Sequence, residues 1–325
     1  MKLERRQFLQ FAALAAVLPT APRLGWAQTY PSHPVRLIVG YTAGGASDVT
    51  ARVMGQWLSL RLGQPFVIEN RPGAATNLAT EAVVHAPADG HTLLLISAAN
   101  AINGGFYPNL NFDFRRDIAP VAAIVRGPMV MVVNPSFPAK TIPELIAYAK
   151  ARPGQISMAS VGVGSPSHLA IALLKMKAGI DVVHVPYRGG ALATTDLLGG
   201  QVQAFFGTTT AMTEYINAGK FRALAVTAAM RVEALPNVPT IAETIPGYEA
   251  SDWFGIGAPK GTPTDIIETL NREINAALSD PSMKARLAAL HGTLLPGSAG
   301  DFAKLIAGET DKWNKTIKLA GIKSD

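Results

Sequence analysis

Short apolar runs, glycine-rich turns and helix-patterned segments follow one another along this chain in a fixed order, and that order leaves few folds open. Val35–Val39 is such a run, bounded by Pro34 and Gly40. The segment Ala46–Leu62 follows, with Val49, Val53, Trp57 and Leu60 near one helical face. Pro65–Ile68 reads as the next strand, Leu78–His85 as the next helix and Thr92–Ile96 as a continuous apolar strand. Such alternation predicts βαβ units with a mostly parallel sheet covered on both faces. With 325 residues, 48% of them hydrophobic, the chain can fill a core of that kind.

The order restarts after Met129–Val133. Thr141-Ile142-Pro143-Glu144 has the capping-box pattern and opens a helix to Lys150. Strand Ile156–Ala159 leads into a helix from about Pro166 to Ala178, and Val182–Val185 leads through Gly189-Gly190 into Leu192–Leu198. Val202–Phe206 and Arg222–Val226 are further strands, and Trp253–Ala258 is an extended return segment. The tail reads as helical. Asp265 is expected to cap one helix with Glu268 at N3, Asp280-Pro281 to restart another, and Phe302–Leu319 to form the last. Two α/β units follow, residues 28–127 and 128–250, with 251–325 packing back on the first. Two crossings between the units make a hinge, and the units leave a cleft.

Residues 1–27 read as a leader rather than as part of the fold. Arg5-Arg6-Gln7-Phe8-Leu9 is a twin-arginine pattern, the apolar stretch Phe8–Leu18 follows, and Gly25-Trp26-Ala27 is a small-x-small cleavage site. The apolar stretch is too short to span a bilayer as a helix. The expected destination is a bacterial periplasm. Removing the leader takes the formal charge from +6 to +3 and leaves no basic run, which argues against nucleic acid as a partner.

Most catalytic templates are absent. With no cysteine, thiol catalysis, disulfides and cysteine-held metals are excluded. The six histidines (His33, His85, His91, His168, His184 and His291) lack metal-ligand spacing. Phosphate-loop, dinucleotide and nucleophile-elbow motifs do not occur. Ser165 and His168 lie close, but without an orienting acid they make no triad.

What remains is the set of turns: Gly40–Asp48, Ser160–His168, Val185–Ala191 and, more weakly, Asn70–Ala74. Each lies between a strand end and a helix start. There the helix N-terminus presents unpaired N–H groups and partial positive charge, and glycine lets a ligand approach the backbone. That is a site for a small anion that needs neither Arg nor Lys. Asp48 reads equally as a helix cap and Ser165 as an N-cap. His168 reads more readily as a satisfied, partly buried imidazole than as a ligand contact, and Arg188 reads equally as a surface charge.

Taken together these pieces resemble the Bug-type substrate-binding proteins of tripartite tricarboxylate transporters. The matching segments are Tyr30-Pro31, Pro34–Val39, Ala43–Asp48, Glu69–Ala74, Gly164–Leu169, Val185–Gly189, Asp196–Val202, Leu224–Thr227 and Pro239–Glu243. The resemblance covers nearly all of 28–325. It implies a two-lobed, type II-like periplasmic binding-protein fold that closes on a small organic carboxylate. The partner it implies is a membrane permease met transiently; no cofactor, metal or catalytic residue is expected, and the chain is expected to be a monomer. The family's gripping positions fall here on Ala43, Gly44, Gly45, Ser47, Asp48, Gly164, Ser165, His168, Tyr187, Arg188 and Gly189. Tyr41, Ser97 and Thr208 complete the candidate set.

Three segments depart from the family's usual pattern and lie beside the expected cleft. They are Gly40-Tyr41-Thr42 where Pro-Phe is common, Ala75-Thr76 where further glycine is common, and Gln203–Thr210 where an acid and Met are common. Two other functions fit fewer residues: a ligand sensor that shares the same site, and a hydrolase using Ser165 and His168.

Overall fold

The computed structural model describes residues 30–107, 109–288 and 292–321. The leader expected over 1–27 lies outside them. The first stretch runs β1 (Val35–Val39), α1 (Ala46–Leu62), β2 (Phe66–Asn70), α2 (Asn77–Val84), β3 (Thr92–Ser97), α3 (Ala98–Phe106), α4 (Phe114–Asp117) and β4 (Ile118–Val133). The chain continues through α5 (Ile142–Ala151), β5 (Ser157–Ser160), α6 (Pro166–Ala178), β6 (Val183–Pro186), α7 (Gly190–Leu198), β7 (Ala204–Thr208), α8 (Thr209–Asn217) and β8 (Arg222–Val226). It ends with β9 (Ser251–Pro259), α9 (Thr264–Ser279), α10 (Pro281–Ala288), β10 (Thr293–Leu294) and α11 (Ala299–Ala320).

The strands form one curled mixed sheet in the order β2-β1-β3-β9-β4-β7-β5-β6, with β8 and β10 also on β4. β1 is parallel to β2 and β3, while β9 runs antiparallel between β3 and β4. β5 is parallel to β6 and β7. β4 belongs to both halves. Its residues from Ile118 to Pro128 pair with β9, and those from Met129 to Val133 pair with β7 and β8.

Only the second part of β4 is legible as a strand in the sequence. Pro120, Gly127 and Pro128 interrupt the first part. The structure absorbs Pro120 with register shifts between Pro120 and Ala122 and between Ala123 and Val125, while Gly127 and Pro128 keep register with Asp252 and Ser251 where the strand leaves β9. α3 and α8 are also additions, since Gly104 and Gly105 in one and the threonines of the other are weak helix formers.

Two helix starts differ from expectation. α9 begins at Thr264 after Pro263, with no side-chain cap, so Asp265 lies inside its first turn. α11 begins at Ala299 with a full capping box between Ser298 and Asp301. The Thr141 hydroxyl accepts from the Glu144 N–H, but the Glu144 carboxylate turns to the Lys140 N–H at 2.7 Å.

The tail contributes to both halves. Phe302 and Ile306 of α11 pack in the first half beneath Trp253. Trp313 and Ile317, about two turns beyond Ile306, pack in the second half with Met131 and Phe206. Ile102 and Phe106 of α3 enter the same second-half cluster. Two helices therefore tie the halves together beside the strand crossing. Among the described residues no helix is long and apolar enough to cross a membrane.

Candidate functional site

β1 ends in the turn that opens α1. Gly45 is the N-cap of α1 and carries no side chain to occupy the first N–H groups. Asp48, 3% exposed, folds back on the turn instead. Its Oδ2 accepts from the Gly44 N–H and from Arg52 Nε, both at 2.9 Å, and its Oδ1 accepts from Asn70 Nδ2 at 3.0 Å. Burial opposes the Asp48 charge, but these donors outweigh it and hold the carboxyl below its ordinary pKa. Asn70 also donates to the Tyr41 carbonyl at 3.0 Å. Asp48 therefore shapes the loop and leaves the start of α1 open.

The second half offers a matching end. Gly189 is the N-cap of α7, again with no side-chain cap, at φ 146°. A Cβ there would stand 2.6 Å from Thr42 Oγ1, on the first half's turn. Gly45, Ala46 and Ser47 from one side and Gly189, Gly190 and Ala191 from the other line a single cavity of about 420 Å³. Thr208, the N-cap of α8, lines it too, its hydroxyl accepting from the Ala211 N–H. Phe205, Met212, Phe254, Leu198 and Val161 make much of the wall.

Asp252 and Tyr41 stand in the same cavity. Asp252 Oδ1 accepts from the Trp253 N–H at 2.9 Å and the Ala98 N–H at 3.4 Å. Burial dominates these bonds and pushes its carboxyl up to about 7, with Glu309 adding to the rise. The Tyr41 hydroxyl is buried and makes no full hydrogen bond among the described residues. Burial raises its pKa, and the Asp252 charge raises it further. The nearby Ser97 hydroxyl acts the other way and favours the phenolate. Asp252 was not a candidate from the sequence; the one signal for it was a lone acid inside the otherwise apolar Trp253–Ala258 neighbourhood.

A second cavity, about 680 Å³, adjoins the first at Tyr41, Thr42 and Val161. It is lined by the 72–76 loop, Gly162, Val163, Tyr107 and the exposed Arg188. Tyr107 bridges the halves there, its hydroxyl donating to the Val163 carbonyl at 3.2 Å. Ala74, Ala75 and Thr76 all have positive φ, at 45°, 49° and 78°. Asn103 Nδ2 holds this strained run by donating to the Ala75 carbonyl at 2.6 Å.

A family model described as the tripartite tricarboxylate transporter family receptor matches residues 50–322. The chain belongs to this receptor family. BugT of Bordetella pertussis is 38% identical over 300 residues, covering 91% of this chain and 92% of the relative. An R. palustris protein solved with adipate superposes with a TM-score of 0.87 at 36% identity, covering 90% of this chain and 99% of that one. The periplasmic binding protein BugD gives 0.86 at 33% identity, over 91% and 100%. MatC from Rhodopseudomonas palustris, solved with malate, gives 0.84 at 30%, over 89% and 100%. The Bug-type resemblance and the two-lobed binding-protein fold both hold.

Within this receptor the candidate residues divide. Tyr41, Gly44, Gly45, Ser47, Gly189 and Thr208 line the first cavity, and Tyr41 and Arg188 line the second. Ala43, Asp48, Ser97, Gly164, Ser165, His168 and Tyr187 line neither. Ser97 caps α3, its N–H bonded to Asn100 Oδ1 at 2.8 Å. The Tyr187 hydroxyl donates to Asp196 at 2.6 Å, and burial together with that carboxylate pushes its pKa to about 12.

The Gly162–His168 turn is satisfied from within. The Ser165 hydroxyl donates to the Gly162 carbonyl at 2.6 Å and accepts from the His168 N–H at 3.3 Å. His168 Nδ1 accepts from the Gly164 N–H at 3.1 Å, and its ring stacks on His184 at 3.9 Å. Ser160 Oγ lies 2.6 Å from His184 Nε2, but that serine is fully buried. Burial, reinforced by Lys175, depresses His168 to about 4. Burial, then His168 and Lys175, depress His184 to about 3. Both rings are neutral at pH 7 and offer no cation to an anion. Among the described residues no cluster of three or more potential ligands could hold a metal.

Proposed function

We propose that this family member is a periplasmic solute-binding protein that captures a small organic carboxylate between its lobes and hands it to a membrane transporter of the tripartite tricarboxylate type. One observation carries this reading. Two helix N-termini without side-chain caps, α1 from one lobe and α7 from the other, open on the same cavity. Each presents about half a positive charge and unpaired N–H donors. A hydrogen bond to a charged acceptor contributes about 1.5–3 kcal/mol, so four to six of them support roughly micromolar binding once ordering costs are met. Relatives of 30% identity or more, solved with adipate and malate, support the carboxylate.

In this reading the lobes are residues 28–127 with 251–325, and 128–250. The leader sends the chain out through a twin-arginine route, and the protein acts as a monomer without cofactor or turnover. A thermal-shift screen of mono-, di- and tricarboxylates, amino acids and aromatic acids tests it. At least one acid raises the melting temperature in proportion to log concentration and is recovered unchanged. A screen in which no anion raises it rejects the reading.

A further inference from the structure

We propose that the 420 Å³ cavity selects a carboxylate that also carries a hydrogen-bond donor, a hydroxyl or an amino group, on an apolar body, and that Asp252 and Tyr41 receive that donor. The inference rests on the carboxylate-binding reading above and names the chemistry of its ligand.

The cavity has two polar regions of different kinds. Main-chain N–H groups at the starts of α1 and α7 suit an anion. Asp252 suits the opposite. Its hydrogen bonds among the described residues both fall on Oδ1, so Oδ2 is left to accept from something else. Beside it, with Ser97 close by, the Tyr41 hydroxyl is buried and meets no full hydrogen-bond geometry among the described residues, so it can still serve a ligand group. A ligand hydroxyl can donate to Asp252 while accepting from Tyr41, and a ligand amine can donate to both oxygens.

A second carboxylate fits poorly. Among the described lining residues no Lys, Arg or His faces this cavity, and Asp252 is its acidic member. Asp252 ionises at about pH 7, so a second carboxylate could bind only against its protonated form and is disfavoured as the pH rises above that value. The remaining wall, Phe205, Met212 and Phe254, suits a hydrocarbon or aromatic body.

Calorimetric titration of the full chain with two matched probe sets tests the proposal. The first is hexanoate, 6-aminohexanoate, 2-aminohexanoate and adipate. The second is phenylacetate, 4-hydroxyphenylacetate and mandelate. The two donor positions in each set cover a short and a long span from the carboxylate. At least one donor-bearing probe binds tenfold or more tightly than its unsubstituted partner and than adipate. In Asp252→Asn and in Tyr41→Phe, the second of which keeps the ring and its packing, that ratio falls at least fivefold. Donor-bearing probes that bind no better than hexanoate and phenylacetate overturn the proposal. So does adipate binding more tightly than all of them, or a preference that survives in both variants. If no probe binds and the wider acid screen is also blank, the carboxylate reading itself fails; if other acids in that screen bind, only the donor rule fails.

Discussion

Thr42 and Gly189 meet across the cleft: a Cβ placed on Gly189 would stand 2.6 Å from the Thr42 hydroxyl oxygen. Gly189 also holds φ 146°, a region nearly closed to other residues. The close approach is what brings the N-termini of α1 and α7 onto one cavity. Gly189→Ala should therefore weaken carboxylate binding by at least tenfold, because the lobes can no longer close to this distance. Titration calorimetry reads the affinity. A melting curve of the unliganded variant should also fall by several degrees, since Gly189 is buried and φ 146° strains any L residue, but the loss of affinity should exceed what that fall accounts for.

Asp48 is aimed at its own loop, so its removal should be felt first as lost order in the turn. Asp48→Ala strips acceptors from the Gly44 N–H, from Asn70 and from Arg52. Arg52 is half exposed and recovers water, whereas the other two donors are partly buried. The expected loss is about 1–3 kcal/mol of stability, read as a lower midpoint in urea. Asp48→Asn keeps part of the hydrogen bonding and should fall between.

Ala75 occupies φ 49° in a run of three left-handed residues. An L residue in that region costs roughly 1–2 kcal/mol, and glycine removes the cost while adding unfolded-state entropy. Ala75→Gly should raise stability by up to about 1 kcal/mol in the same urea experiment. A loss would mean that the Ala75 methyl packs more than its place at the cavity edge suggests.

Much of this was readable in the residues, for identifiable reasons. Glycine reports a backbone requirement directly, so Gly44, Gly45 and Gly189 point from the sequence to turns that line the first cavity. Apolar periodicity likewise located β1, α1, α6 and β8 to within a residue. Side-chain hydrogen bonds report less. Ser165 and His168 sit in a turn that looks like the others, yet they spend their donors and acceptors on that turn. Asp252 is the converse. Its place in the cavity depends on β9 lying between β3 and β4, a pairing between segments more than a hundred residues apart that no local pattern encodes. The first part of β4 is hidden by its prolines: Pro120 sits at a register shift, and Pro128 at the end of the pairing with β9.

The stacked pair His168 and His184 gives a pH dependence with a definite sign. Both are depressed in the folded chain, to about 4 and about 3, whereas both ionise near 6.5 when unfolded. Between those limits the unfolded chain binds more protons than the folded one. The stability the rings contribute is complete above about pH 6.5 and is lost as pH falls through the window toward 4 and 3, at no more than about 1.4 kcal/mol per unit for each ring. Urea midpoints should drop between pH 7 and pH 4.5. His184→Gln, which can keep a hydrogen bond to Ser160, should show a shallower drop. An unchanged slope would mean that the pair is solvated and titrates near its ordinary value.

Trp313 links β4 to the second-half core. It is fully buried, and its Nε1 donates to Glu309 Oε2 at 3.0 Å. Glu309 Oε1 in turn accepts from Arg126 at 2.5 Å, on β4 just before that strand passes into the second half. Truncating the indole removes packing from the second-half cluster and leaves Glu309 short of a donor in a buried place. Trp313→Ala should cost about 3–5 kcal/mol. Trp313→Phe keeps most of the volume and loses the N–H, so it should cost nearer 1–2 kcal/mol. Glu309→Ala tests the other arm: an Arg126 guanidinium left without its partner beside the core should cost about 3 kcal/mol. If α11 only rests on the first half, all three variants would leave the urea midpoint close to that of the native chain, and the bridging role assigned to its Trp313 and Ile317 would fall.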